Sequence, residues 1–290
     1  MNNLMTIVIG ALELGGIFAL LALGCYISFN VLDIPDLTVD GSFTTGCATS
    51  VVITAAGAPA LGLGMAFIAG ALAGLVTAFL MTKLKINAIL SGILTQTALY
   101  SVNLRIQHQT PNISLMDDHT VFTPFNGFAP YDKIILIYLI VIVIVFLMNY
   151  FLKTKMGLAL RACGDNEDMV RASSIDTDKM KMIGLALANG LVGLSGALYT
   201  QQQGYSDITS GIGMMVIGLA SIIIGQTFIR STRISLTLVA AVVGAIIYRF
   251  ILTFAIMAGV PSGDLNLLSS AIVIVAIAIP ILKRRKVKNA

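Results

Sequence analysis

The sequence predicts an all-α membrane protein, a polytopic bundle of about nine spanning helices with its N-terminus outside and its C-terminus in the cytoplasm. Three observations carry that class. Of the 290 residues, 57% are hydrophobic and 11% charged, whereas soluble domains carry about 25% charged residues. Folding into a sphere cannot hide so large an apolar share, so lipid must be the solvent for most of the chain. The apolar residues fall in stretches close to the roughly 20 residues that cross a hydrocarbon core of about 30 Å. Lysine and arginine collect in alternate connections, as topology signals do.

Nine stretches follow one another: Leu4–Phe29, Leu37–Ala56, Ala60–Met81, Ile86–Val102, Ile134–Leu152, Ile183–Thr200, Ile212–Phe228, Ile234–Ile256 and Leu265–Leu282. None alternates with the period of two that a barrel strand needs, so each reads as a helix that satisfies its own backbone in lipid. Met1–Gly10 has no basic n-region and no small-residue cleavage site, so it is not expected to be a removable signal. The second stretch is the most polar, with Asp40, Gly41, Ser42, Thr44 and Thr45 near its start. Pro35 and the Asp40-Gly41-Ser42 triplet predict a broken start to that span, with Asp40 as its N-cap. No counterpart to this break is predicted in the second half of the chain. Gly70-x-x-x-Gly74, Gly193-x-x-x-Ala197 and Ala240-x-x-x-Gly244 predict close helix contacts.

With the C-terminus inside, 15 of the 18 positive residues are cytoplasmic. They sit at Lys83 and Lys85, across 153–182, at Arg230 and Arg233, and in the tail 283–290. Arg105 and Lys133 fall outside and Arg249 within a span, where its side chain is expected to snorkel outward. This distribution accounts for the +4 net charge without nucleic acid. The tail reads as an anchor at anionic lipid.

Catalytic chemistry is poorly served. The chain has no H-E-x-x-H, no G-x-S-x-G and no phosphate-binding loop. Its two histidines, His108 and His119, lie in the polar segment 103–133, and its three cysteines make no C-x-x-C. No catalytic residue, metal or cofactor is expected. Glu13, about nine residues into the first span, is the most conspicuous intramembrane charge. It reads either as an interhelical hydrogen bond or as a coupling group, and Glu13, Asp40 and Ser42 are candidates for a translocation path.

The polar segment 153–182, between the fifth and sixth spans, is richer than a linker requires. Asp165 predicts the cap of a short helix, with Glu167 and Asp168 in the first turn favoured by the helix dipole. Met169, Val170 and Ala172 supply its apolar face, Ser173 and Ser174 end it, and Asp176 caps a second helix leading into span six. Such a knob suits docking by a cytoplasmic partner.

Gly157, Gly164, Asn166, Arg171, Ser174, Ile175, Lys179 and Lys181 resemble the coupling-loop pattern of ABC-importer permease subunits of the branched-chain-amino-acid/ribose branch. The run Leu187–Leu198 is similar to the next span of that branch. Leu32-Asp33-Ile34-Pro35-Asp36-Leu37-Thr38-Val39-Asp40-Gly41-Ser42-Phe43 resembles a block of the tryptophan/tyrosine-type import permeases. Gly218–Thr227 departs from the ribose-type members, lacking their Gly-rich turn. The resemblance implies one transmembrane unit over 1–290 that pairs with a second copy. It further implies two cytoplasmic ABC ATPases docking on Gly164, Asp165, Asn166, Glu167, Met169, Val170, Arg171, Ser174 and Ile175. An extracytoplasmic binding protein would deliver a small solute, by analogy an amino acid. The rival reading is a secondary transporter driven by an ion gradient through Glu13, which predicts interrupted helices in both halves.

Overall fold

A computed structural model of the chain describes residues 2–115, 119–123, 131–261, 264 and 267–274. Helices α1 (Asn2–Cys25), α2 (Thr38–Ala55), α3 (Pro59–Thr82) and α4 (Ala88–Ile106) are followed by strand β1 (Asn112–Ser114) and α5 (Asp132–Phe151). Then come α6 (Lys155–Asp165), α7 (Glu167–Ala172), α8 (Thr177–Gln203), β2 (Tyr205–Asp207), α9 (Met214–Phe228) and α10 (Ile234–Met257). Residues 267–274 are also helical. The rest of the ninth predicted stretch and the tail 283–290 lie outside the described residues.

Five of the described helical segments are long and apolar enough to cross a membrane: 5–31, 59–82, 133–151, 177–203 and 234–257. Their outward faces support that environment. Ile142 and Phe146 on α5 are 65% and 70% exposed, and Leu61 on α3 is 67% exposed. Bands of this kind are stable in lipid and not in water. The expected all-α class needs one amendment, because β1 and β2 pair antiparallel, Ile113 opposite Ser206. This ribbon joins the α4 end to the α8 end and marks one pole of the bundle, here the β pole. The α6–α7 loop marks the other.

The long helix α8 is the hub, packed on α1, α2 and α3. Small residues let backbones meet there: a Cβ at Gly70 or Gly74 would fall on the carbonyl oxygens of Asn189 and Leu185 of α8. α1 runs antiparallel to α8. Ser195 donates to the Ile17 carbonyl (2.8 Å), and further along, Leu32 packs where a side chain at Gly184 would stand. Before that point α1 widens into a π-helical turn, Tyr26–Val31, a rare form that is frequent at functional sites.

The chain then breaks inside the bundle. Asp36 and Ser42 both bond to Asn189, which lies twelve residues into α8, about 18 Å from its start at 1.5 Å per residue. Helix α2 therefore begins near mid-depth. So does α9, because its first amides reach Asp40 in the first turn of α2. The expectation of a single broken span is thus corrected. Residues 208–213 descend from the β pole as irregular backbone and deliver α9 to the level where α2 starts. Non-helical backbone at such depth is tolerated where protein buries it or a cavity lies beside it.

Candidate functional site

Two regions gather the residues singled out in the sequence. The first is the α6–α7 loop. Thr154 caps α6, accepting from the Gly157 amide (3.2 Å). This eleven-residue helix was not anticipated. Asp165 is its last residue rather than a cap, and the cap of α7 is Asn166, which accepts from Met169 N at 3.0 Å. The correction has a simple cause: the shorter Asp/Asn choice at adjacent positions depends on which residue leaves helical geometry, and Asn166 does, at φ −160°. Asp176 caps α8 as expected, through the Lys179 amide (3.1 Å). That amide holds the Asp176 carboxyl below its ordinary range. Ser174 ends α7 in left-handed geometry, φ +62°.

Glu167 organises the loop. Its Oε2 lies 2.6 Å from Lys181 Nζ, and its Oε1 accepts from Arg171 (2.8 Å) and Thr177 (3.2 Å). The Lys181 hydrogen bond outweighs partial burial, which pushes the other way, and holds the Glu167 carboxyl below the usual range. Asp178 faces Lys83 and Lys85 from the α3–α4 turn at 3.7 and 3.9 Å. Val170 is buried and anchors α7, while Gly164 abuts the Val31 carbonyl so closely that a Cβ would overlap it. Facing away, Met169 is 61% exposed and Ile175 36% exposed. Cys163, on α6, is buried, and burial pushes its thiol up.

The second region lies at mid-depth. Asp40 does not cap its own helix. Its Oδ2 accepts from Gly213 N (3.0 Å) and its Oδ1 from Met215 N (2.8 Å), so one carboxylate on α2 satisfies the start of α9. Gly213 permits this turn with φ +85°. The N-cap of α2 is Leu37, which has no polar side chain to offer, and the Thr38 amide is met from Asp36 one residue before it, whose Oδ1 accepts at 2.9 Å. Asp36 Oδ2 is 2.6 Å from Asn189 Nδ2, and Ser42 donates to Asn189 Oδ1 at 2.7 Å. Ser42 is thus wholly occupied within the bundle.

Beside Asp40 a cavity of about 450 Å³ opens between α2, α4 and the 208–212 segment. Asp40, Thr44, Gln96, Tyr100, Asn103 and Thr209 are among its lining residues. Glu13 stands apart, 7% exposed, accepting from Gln202 of α8 at 2.9 Å. Arg249 does not reach outward as expected; its guanidinium lies over the Phe18 ring, 5.8 Å from the centroid. Among the described residues no group of three or more His, Cys, Asp or Glu could hold a metal.

Sequence reasoning missed Asn189, Gln202 and the 208–213 break. Each had a signal. Asn189 and Gln202 are amides in or at the end of an apolar span, and Gly204, Thr209, Ser210, Gly211 and Gly213 are turn-forming residues just before α9.

Residues 7–278 match the family described as branched-chain amino acid transport system / permease component. The chain is similar to the tyrosine transport system permease protein of Clostridioides difficile (strain R20291), 39% identical over 263 residues, covering 90% of this chain and 87% of that one. It is also similar to the ribose import permease protein RbsC of Escherichia coli (strain K12), 23% identical over 96% of this chain and 85% of that one. A probable branched-chain amino acid transport permease protein, LivH of Methanocaldococcus jannaschii, is 24% identical over 78% of this chain and 75% of its own length. No solved structure matches the chain.

Proposed function

As this chain belongs to the family of branched-chain amino acid transport system permease components, and so is an integral membrane protein, we propose that it is the membrane-spanning subunit of an ATP-driven importer. In this reading residues 1–290 form one nine-span unit with the β pole outside and the α6–α7 loop in the cytoplasm. Two copies pair, two cytoplasmic ATPases dock on the loops, and an extracytoplasmic binding protein delivers the solute. The cargo is an amino acid, with an aromatic one favoured by the similarity to a tyrosine transport permease.

The observation that carries the reading is the loop's construction. Val170 and Gly164 anchor it to the bundle, Glu167 ties it to the start of α8, and Met169 and Ile175 remain exposed. A knob held rigidly at its base and bare at its tip can pass a push from a partner into α8, the hub helix. ATP-driven approach of two docked ATPases would then shift the bundles as rigid bodies about a bistable interface. The docking surface is Met169, Ser174 and Ile175 along α7 and its end, with Gly164 to Asn166 at the base and Glu167 and Arg171 as internal braces. Val170, expected among the docking residues, is buried and serves as the anchor. The path runs past Asp40; Ser42 braces α2 against α8 beside it, while Glu13, expected along the path, ties α1 to α8 away from the cavity.

A second reading, a gradient-driven secondary transporter, gains from the two half-depth helix starts at α2 and α9, a device such transporters use. The two readings part in vesicles carrying the purified chain with its ATPase and binding protein. Uptake driven by ATP without an ion gradient is expected. Uptake driven by a proton gradient alone, and indifferent to ATP, would replace the importer reading with its rival.

A further inference from the structure

Resting on the importer reading, we propose that the cavity beside Asp40 is a waypoint in which the permease itself grips its cargo by a primary ammonium group. The hydrogens of the cavity wall lead to this. Thr44 donates its hydroxyl hydrogen to the Asp40 carbonyl (3.1 Å), Thr97 to the Ile93 carbonyl (2.8 Å), and Thr209 to the Asp207 carboxylate. A hydroxyl has one hydrogen, so all three present only lone pairs to a ligand. Asn103 is 1% exposed, and its Oδ1 has no partner. The Asp40 carboxylate, with about four lone-pair positions, spends two on the amides of α9. No lysine or arginine is among the described residues that line the space.

The Gln96 and Asn103 amides and the Tyr100 hydroxyl can also donate. The Asp40 carboxylate is nonetheless the one charge among these lining residues and no cation answers it, so the wall favours a cation over a carboxylate or phosphate. It accepts a cation that brings several N–H groups, and a primary ammonium brings three. The placement suits a passage. Gly41 packs on Gln96 and Leu99 of α4, so Asn103 lies one turn beyond Leu99 toward the β pole. The acceptors therefore line the cavity from its outer end down to Asp40. Tyr100, 55% exposed, and Ile212, 66% exposed, offer apolar surface for the remainder of the cargo.

The test measures equilibrium binding to the full chain in lipid nanodiscs, without ATP, with two probes that share a phenol. Tyramine carries the ammonium and no carboxylate; 3-(4-hydroxyphenyl)propionate carries the carboxylate and no ammonium. Tyramine is expected to bind at least about tenfold more tightly, the scale of one hydrogen bond to a charged group. Asn103→Leu should weaken tyramine roughly tenfold. Thr97→Val, which keeps the shape of the wall and removes one acceptor, should weaken it by a smaller factor and guards against misfolding of the first variant. Absent tyramine binding, equal affinity for the two probes, or unchanged affinity in both variants would overturn the site. Failure of ATP-driven uptake would sink the importer reading and leave this binding result standing.

Discussion

Asn189 on α8 holds the Asp36 carboxylate through a 2.6 Å hydrogen bond, so the break that precedes α2 is fastened to the middle of the hub helix. Both groups are buried, Asp36 to 1% and Asn189 to 0% exposure. The same asparagine accepts from Ser42, one turn and a half further on. One side chain thereby sets where α2 starts and which face it turns to α8.

Asn189→Leu keeps the branching of the side chain, at a larger volume, and strands a buried carboxylate; Asn189→Ala removes the same hydrogen bond without the added bulk. Losing a hydrogen bond to a charged group costs about 1.5–3 kcal/mol, and either variant should unfold at correspondingly lower denaturant in mixed micelles. A midpoint equal to the native one would show that Asp36 finds another partner.

Glu13→Gln should leave transport largely intact. The Gln202 contact survives as an amide pair, and hydrogen bonds between helices in bilayers average about 0.6 kcal/mol, so the expected loss is a small drop in stability. The decisive measurement is uptake in vesicles with ATP and with a proton gradient as separate drives. Gradient-driven uptake that vanishes in Glu13→Gln would make Glu13 a coupling group.

Met169 is the better reporter of both topology and docking. Arg171→Glu would place a third carboxylate beside Glu167 and Asp178, so a defect there would mix misfolding with lost docking. All three native cysteines are buried, which leaves a quiet background for Met169→Cys. Thiol reagents should label it from the cytoplasmic side alone, and less once the ATPase is bound. Met169→Asp should lower ATPase association several-fold with the permease still folded. Labelling from outside intact cells would invert the orientation.

The loop should loosen in acid. Glu167 titrates below its ordinary value of 4.5 in the folded chain, chiefly through Lys181, so its contribution is fully present above that value and lost as pH falls through the lowered one. Hydrogen-exchange protection at 177–181, corrected for intrinsic rates, should decline as the pH falls below 4.5. Glu167→Gln should be less protected above that pH and keep only the part of the decline that belongs to Asp176, which caps the Lys179 amide. A decline of undiminished size in Glu167→Gln would assign all of it to Asp176.

Much of this architecture was legible in the residues. Runs of apolar side chains near 20 residues locate helices because burial in lipid is additive and local along the chain. The ends of α2, α3, α5 and α10 accordingly fall within a few residues of the predicted stretches. Asp176 was readable as a cap for the same reason, since a cap and its amide are three residues apart. The block around Pro35 announced a break, and the loop between spans five and six announced α7 and the start of α8 but not α6. Asp165 and Asn166 were confused because both can cap and only the backbone turn chooses between them.

What the sequence determined by itself is therefore the solvent, the approximate spans and the positions where the chain must turn. Only the tertiary structure decided who partners whom. Asp40 is three residues into its own helix, yet its amides come from a helix 173 and 175 residues away. Asn103 is an ordinary polar residue near a helix end until the packing of α2 and α4 buries it and leaves its oxygen unmatched. A hydrogen-bonding group in lipid must be satisfied, but its identity specifies only the need; the fold brings, or withholds, the atom that meets it.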